Sequence, residues 1–236
     1  MCGIAGFICK DNDAPTGPRA AVLDRMCASI AYRGPDEQGT LVRGRAALGM
    51  RRLSIIDIQS GQQPIFNETG DLAIVFNGEI YNFRELRKGL CARGHIFKTN
   101  SDTETILHAF EEFGERCVQK LRGMFAFAIW DFRGESLFIA RDRIGKKPLF
   151  YAQTDDGEFV FGSELKTLLV HGGVKREADL AALDAYLSFG YVPEEFCILN
   201  GVKKLPPGHS LTYREGRVVV REYWDIEPTP LDADMP

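Results

Sequence analysis

Apolar positions along this chain switch repeatedly between two rhythms. Residues 4–8 form a short apolar run, kept slim by Gly3 and Gly6, and read as a buried strand. Val22, Leu23, Met26 and Ile30 recur at helical spacing and share one face. Arg33-Gly34-Pro35-Asp36 then breaks that helix. Residues 46–58 read as extended and apolar with polar interruptions. Residues 72–76 (LAIVF) read as a short buried strand that stops at Asn77-Gly78. Two helices follow. The spacing predicts the first over 83–92, capped by Asn82 with Glu85 reaching back, and ended by Gly94. The second begins at Ser101, which forms a capping box with Glu104. Ile106, Leu107 and Phe110 supply its apolar face.

Residues 124–131, 136–140, 149–152 and 159–162 are short and rich in β-formers. Turn residues such as Gly134 and Asp156-Gly157 separate them, as antiparallel hairpins require. Helical patterns return over 164–170 and 179–189. A last hairpin is expected over 210–213 and 218–224, turning at Glu215-Gly216. Strands, helices, strands, helices is not the alternation of a doubly wound parallel sheet. The order predicts an α+β fold of two antiparallel sheets with helices outside. Residues 1–225 read as one domain. Prolines punctuate the rest, so 226–236 read as a linker or the start of a further domain.

Composition narrows the function classes. The chain has 236 residues, 44% of them hydrophobic, and a formal net charge of -4. A mildly acidic protein without a basic block has no general attraction for nucleic acid or anionic membrane. The apolar start is too short for a membrane span and lacks the leading positive charge of a signal peptide. The six cysteines include no CxxC pair, so the spacing offers no metal motif, and a reducing cytoplasm fits them better than a disulfide framework.

Cys2 is the residue with chemistry to offer. With Met1 removed, it would carry both a thiol and a free α-amine, whose reference pKa of about 7.7–8.0 suits it to accept the thiol proton. An N-terminal amine is a known base for such a nucleophile. Taken alone, a small cysteine at a strand start is more often simple packing. Cys9, Cys27, Cys91, Cys117 and Cys197 read that way. Strand alternation puts Cys2 and Cys9 on opposite faces. Thiolate attack on an amide needs oxyanion donors, and Asn77 and Gly78 offer a side-chain amide and an unshielded backbone N–H. An amino-acid amide also brings a carboxylate and an ammonium. Arg52 is a candidate clamp for the first, with Arg51 facing away. Asp102 is a candidate partner for the second, although an acidic residue there also complements the helix dipole.

The ordered segments Met1-Cys2-Gly3-Ile4-Ala5-Gly6, Arg33-Gly34-Pro35-Asp36, Arg52-Leu53-Ser54-Ile55-Ile56-Asp57, Phe76-Asn77-Gly78-Glu79-Ile80-Tyr81-Asn82 and Ser101-Asp102-Thr103-Glu104 continue with Gly123-Met124-Phe125-Ala126-Phe127-Ala128, Arg141-Asp142-Arg143-Ile144-Gly145 and Lys204-Leu205-Pro206-Pro207-Gly208-His209. Together they resemble the N-terminal glutaminase domain of glutamine-hydrolysing asparagine synthetases, a class II amidotransferase of the N-terminal-nucleophile hydrolases. The resemblance implies a four-layer αββα sandwich. It implies Cys2 as nucleophile and Asn77 and Gly78 as oxyanion hole. It also implies L-glutamine held by Arg52, Leu53, Ser54, Ile55, Ile56, Asn77, Gly78, Glu79 and Asp102. No metal or cofactor is implied for that step. ATP and magnesium are expected only in a synthetase domain, in cis or trans, whose Ser-Gly-Gly-x-Asp-Ser pattern is not found here. A homodimer is compatible. A different ammonia acceptor and a non-catalytic glutamine-binding role are the competing readings. Two positions depart from the pattern: Tyr32 and Met50 stand where many relatives have histidine.

Overall fold

The computed structural model describes residues 2–12, 15–54, 56–57 and 59–226. In chain order the elements are β1 (Gly3–Ile8), α1 (Thr16–Ser29), β2 (Glu37–Arg43), β3 (Ala46–Arg52), β4 (Ile65–Phe66) and β5 (Leu72–Ile80). Then come α2 (Phe83–Cys91), α3 (Asp102–Phe113), α4 (Cys117–Lys120), β6 (Gly123–Asp131), β7 (Ser136–Arg141), β8 (Phe150–Gln153) and β9 (Phe159–Gly162). The chain closes with α5 (Leu165–Leu168), α6 (Leu180–Phe189), β10 (Val202–Lys204), β11 (His209–Arg214) and β12 (Arg217–Glu222). Two six-stranded sheets result, ordered β10-β8-β9-β1-β3-β2 and β12-β11-β7-β6-β5-β4, and their strand pairs are antiparallel.

Side-chain alternation divides the interior into three apolar layers. Ile4 and Ile8 of β1, Leu48 and Met50 of β3, and Ala73 and Val75 of β5 meet between the sheets. The opposite residues of the first sheet, Ala5, Phe7 and Ala47, pack under Leu23, Met26 and Cys27 of α1 and Leu168 of α5. Those of the second sheet, including Ile74, Phe76 and Phe127, pack under Leu90 of α2, Ile106 of α3 and Val118 of α4. The order helix, sheet, sheet, helix is the αββα sandwich. The two cysteine faces part as alternation requires. Cys9 is buried in the outer layer, while Cys2 packs against the layer between the sheets.

Several boundaries differ from those read in the sequence. β5 does not stop at Asn77-Gly78 but runs on to Ile80, because β6 pairs with every residue of it as far as Ile80↔Gly123. β3 ends at Arg52 rather than continuing to 58, since the following loop folds back onto the Arg52 guanidinium. Asn82 does not cap α2. Its amide donates to the Lys120 carbonyl and its oxygen accepts from Arg122 N, tying the helix start to the approach of β6. Half of the capping box at α3 forms. Ser101 Oγ accepts from Glu104 N, but the Glu104 carboxylate takes the backbone N–H groups of Lys98 and Thr99 instead of Ser101 N. The β11–β12 hairpin turns where expected, with positive φ at both Glu215 and Gly216, the requirement of a type I′ turn. The tail from residue 227 lies outside the described residues.

The start of β1 is held by a reciprocal clasp. Ile4 N donates to Ser163 Oγ at 2.9 Å, and Ser163 N donates to Ile4 O at 2.9 Å. Ser163 is fully buried. Ser163→Ala leaves the Ile4 N–H without its acceptor, and it should destabilise the domain by about 1–3 kcal/mol. A lowered urea midpoint at unchanged m-value is the expected result.

Candidate active site

The inter-sheet layer does not close at the Cys2 end. Continuing the alternation one step past the packed core gives Cys2 after Ile4 in β1, Arg52 after Met50 in β3, Asn77 after Val75 in β5 and Met124 beyond Ala126 in β6. All four line one cavity of about 740 Å³, which includes the space open to solvent. Leu53, Ile56, Gly61, Gln63, Gly78, Glu79, Asp102 and Lys147 complete much of its wall. The site is therefore the open end of the core. It gathers residues from both sheets and from the first turn of α3.

Cys2 Sγ sits against one peptide group of the loop after β3. Leu53 N donates toward it at 3.4 Å, and the thiol faces Leu53 O at 3.6 Å. Its own carbonyl accepts from Arg33 Nε at 2.9 Å, and Arg33 is paired with Glu164 at 2.8 Å. Tyr32 donates to the same Glu164 carboxylate. Tyr32 thus supports Cys2 at two removes, from the surface, whereas Met50 is a core residue.

Asn77 is only 1% exposed, yet neither its side-chain oxygen nor its nitrogen has a hydrogen-bond partner in the protein. Leaving a buried polar group unpaired costs about 1–3 kcal/mol, so such a group calls for an explanation. Gly78 follows it on the free edge of β5. Phe76 N donates to Gln63 Oε1 at 2.6 Å and Ile80 N to Asp102 Oδ2 at 2.9 Å, both on the side away from β6. By alternation the Gly78 N–H points to that side too, into the gap between Gln63 and Asp102. β4 does not reach this far, because it pairs only with Ala73 and Ile74. The need for glycine at 78 comes from the opposite direction. A Cβ there would lie 2.2 Å from Met124 O of β6, so strand packing, not ligand approach, excludes a side chain.

Asp102 opens α3 with its carboxylate buried at the cavity wall. Burial lifts its pKa to about 6, although N–H groups of Ile80, Asp102 and Thr103 pull the other way. Glu79, lining the same cavity, adds to the rise. Two carboxylates on one wall make a place for a cation.

Arg52 reaches the cavity but is already engaged. Nη1 pairs with Glu37 at 2.8 Å, and Nη2 donates to Ile56 O and Asp57 O at 2.8 Å each. A guanidinium has five N–H donors, so two of them, including Nε–H, are not taken by these bonds. The guanidinium also shapes the site, since Ile56, Asp57 and Gly61 gather around it closely enough that a Cβ on Gly61 would lie 2.7 Å from Nη2. Arg51, on the other face, holds the Gly34 and Pro35 carbonyls. Ser54 N donates to Asp36, and Ser54 is not among the cavity-lining residues. Ile55 lies outside the described residues.

Lys147 is the residue that sequence reading missed. It is 6% exposed and lines the cavity with Cys2. Burial, with Arg33 repelling it, holds its ammonium below the usual lysine range. The turn that presents it is built on Asp142, whose carboxylate accepts from the backbone N–H groups of Lys146, Lys147 and Phe125. The Arg141–Gly145 motif stops two residues short of it, and nothing local marks a loop lysine as inward-facing. Gln63 was missed for a similar reason: it spans from Phe76 N to Thr103 Oγ1, both distant in sequence.

Comparison with known proteins shows the family. A family described as "Glutamine amidotransferase domain" matches residues 1–224. The chain is 39% identical to asparagine synthetase [glutamine-hydrolyzing] 3 of Bacillus subtilis over 96% of its own length, and 40% identical to asparagine synthetase [glutamine-hydrolyzing] 1 of the same organism over 99%. It spans 37% of the length of each of these relatives. Among solved structures, a glutamine phosphoribosylpyrophosphate amidotransferase from B. subtilis superposes with a TM-score of 0.67 at 19% identity, covering 94% of this chain and 49% of the other. That likeness supports the sandwich fold. With one family match spanning both sheets and every element around the cavity, the chain belongs to the glutamine amidotransferase domain family.

Proposed function

We propose that Cys2, freed by removal of Met1, hydrolyses the side-chain amide of L-glutamine, and that the ammonia serves ATP-dependent amidation of aspartate in a synthetase-type domain. The observation that carries the glutaminase step is the buried, unpartnered Asn77 amide beside the Gly78 N–H. These are two donors on one wall, facing the cavity that also holds a thiol. The α-amine of Cys2 takes the thiol proton. Sulfur attacks the amide carbon, and the oxygen becomes an oxyanion held by Asn77 Nδ2 and Gly78 N–H. The C–N bond breaks, the proton on the amine passes to nitrogen, and ammonia leaves a thioester on Cys2. Water, deprotonated by the same amine, then attacks the thioester to give glutamate and restore the thiol. Lys147 adds an ammonium donor to the wall that also carries Cys2.

Asp102, with Glu79, receives the α-ammonium. The carboxylate end lies toward Arg52 and the Leu53–Ile56 loop. Because Nη1 and Nη2 hold Glu37, Ile56 O and Asp57 O, Arg52 acts both as ligand and as the post around which the loop is wound. The glutaminase step needs no metal or cofactor in this scheme. Two observations support a further domain as partner. The relatives named asparagine synthetase are far longer than this chain. In addition, α6 and the turn after it leave Leu180, Leu187, Phe189 and Tyr191 exposed, an apolar face suited to burial against another domain. A reducing cytoplasm agrees with six cysteines that are all free. No described helix is long and apolar enough to cross a membrane.

Cys2→Ser should abolish ammonia release from glutamine, and intact-mass measurement of the active protein should show Met1 absent. Full activity with Met1 retained would overturn the amine as base. Asn77→Ala should lower kcat by about 10²–10³-fold with KM little changed, the signature of a donor used mainly in the transition state.

Asp102 sets a pH dependence. Its carboxyl is raised above the ordinary value, so its charging costs folding stability above pH 6, and that cost is relieved as pH falls toward 4. Glutamine binding runs the opposite way, because only the carboxylate attracts an ammonium. KM should therefore rise as pH drops through 6. Asp102→Asn should flatten that limb and raise KM at pH 7.5 by about 5–150-fold, equivalent to about 1–3 kcal/mol. Steady-state kinetics across pH 5–8 would check both; an unchanged KM in the variant would remove Asp102 as ammonium ligand.

A further inference from the structure

A second cluster of chemistry-bearing side chains lies outside the cavity, on the other side of α3. Glu68 from the β4–β5 turn, His95 from the segment after α2, and His108 and Glu111 from α3 bring one ligand atom each to within 4.8 Å of one another. His108 Nδ1 is 2.7 Å from Glu111 Oε2 and 3.2 Å from Glu68 Oε2. His95 Nδ1 is 3.7 Å from Glu68 Oε1 and 3.7 Å from Glu111 Oε2. Around a tetrahedral zinc ion with bonds of about 2.0–2.2 Å, neighbouring ligand atoms stand about 3.4 Å apart. The observed separations bracket that edge.

Two further features point to a cation rather than to a surface ion-pair network. Both imidazoles turn Nδ1 inward and Nε2 outward onto a second carboxylate: His108 Nε2 to Glu104 at 3.6 Å and His95 Nε2 to Glu112 at 3.4 Å. The His95–Glu112 hydrogen bond is the outer-shell arrangement found behind metal-bound histidine, and the hydrogen bond that His108 Nδ1 makes to Glu111 Oε2 is the one an ion would replace. The cluster also contains an orphaned polar atom: Glu68 Oε2, buried and 3.2 Å from His108 Nδ1, has no hydrogen-bond partner in the protein. Four carboxylates surround two histidines here, and a dication neutralises that excess. Asn67, which donates to the other oxygen of Glu111 at 2.7 Å, holds its carboxylate in place.

We propose that Glu68, His95, His108 and Glu111 form a structural site for a divalent transition-metal ion, of the zinc class. Such an ion joins three segments that otherwise meet only through side chains. It also reaches the active site through one carboxylate. Glu104, outer partner of His108, binds Lys98 N and Thr99 N and so orders the approach to Ser101 and Asp102. His108 lies six residues beyond Asp102, about 9 Å along the helix at about 1.5 Å per residue. The ligands come from three separated elements, which is why no spacing motif announces them. With nitrogen and carboxylate donors only, the site differs in kind from a cysteine-rich zinc knuckle.

The test uses the chelator-stripped full chain, titrated calorimetrically with Zn²⁺ and spectroscopically with Co²⁺. One ion per chain is expected, with four-coordinate Co²⁺ ligand-field bands and a raised Tm on zinc addition. Cys2→Ser should bind equally well, which excludes the catalytic thiol as ligand. Glu68→Gln and His95→Ala should each weaken binding tenfold or more, and Glu112→Gln by about 10–100-fold. Glu68 sits on a surface turn, so its variant remains informative if His95→Ala folds poorly. No saturable binding by the wild-type chain, binding that survives both Glu68→Gln and His95→Ala, or binding lost in Cys2→Ser would overturn the proposal.

Discussion

The face-to-face packing of two pleated sheets is the constraint on which this molecule depends. Because side chains alternate, each inner strand offers one residue in two to the seam between the sheets. Apolar residues fill the seam as far as Ile4, Met50, Val75 and Ala126. One step further along the same strands stand Cys2, Arg52, Asn77 and Met124, and the packed core gives way to a cavity. The site inherits its rigidity from the sandwich. A shift of one residue in the register of β1 on β3, or of β5 on β6, would turn Cys2 or Asn77 out of the cavity.

Polar groups at this rim are kept in place by partners that do no chemistry. Ser163 clasps Ile4 two residues after Cys2, and Arg33 holds the Cys2 carbonyl. Gln63 and Asp102 take the edge N–H groups of Phe76 and Ile80, leaving the Gly78 N–H between them directed at the cavity. Arg52 winds the loop that presents Leu53 to the sulfur. Against this background the unpartnered amide of Asn77 stands out, because both its oxygen and its nitrogen are buried without a partner; it is the group the proposed mechanism assigns to the substrate oxygen.

α3 carries two polar groupings on two faces. Its first residue brings a buried carboxylate to the cavity, with a pKa raised to about 6 by the same burial that positions it. Its later turns carry His108 and Glu111 to the outer cluster, and Glu104 stands between the two. The helix joins the outer cluster to the ammonium end of the proposed glutamine site.

Local information in the chain was enough for most of the strand and helix pattern, though not for β2, β4, α4 or β10, and for the two-sheet class, the I′ turn at Glu215-Gly216 and the opposite facing of Cys2 and Cys9. These rest on side-chain period and turn chemistry, which act over a few residues. Residue chemistry also nominated Cys2, Arg52, Asn77-Gly78 and Asp102 as one set, and each of them lines the cavity. What the tertiary structure alone decided depends on contacts between distant segments. The ladder with β6 carried β5 through Asn77-Gly78 despite a turn signal, and explained the glycine by packing against Met124. Ion pairing to Glu37 engaged Arg52, and a turn built on Asp142 delivered Lys147. Three separated segments assembled the histidine–glutamate cluster, which has no sequence spacing because no single element holds more than two of its ligands.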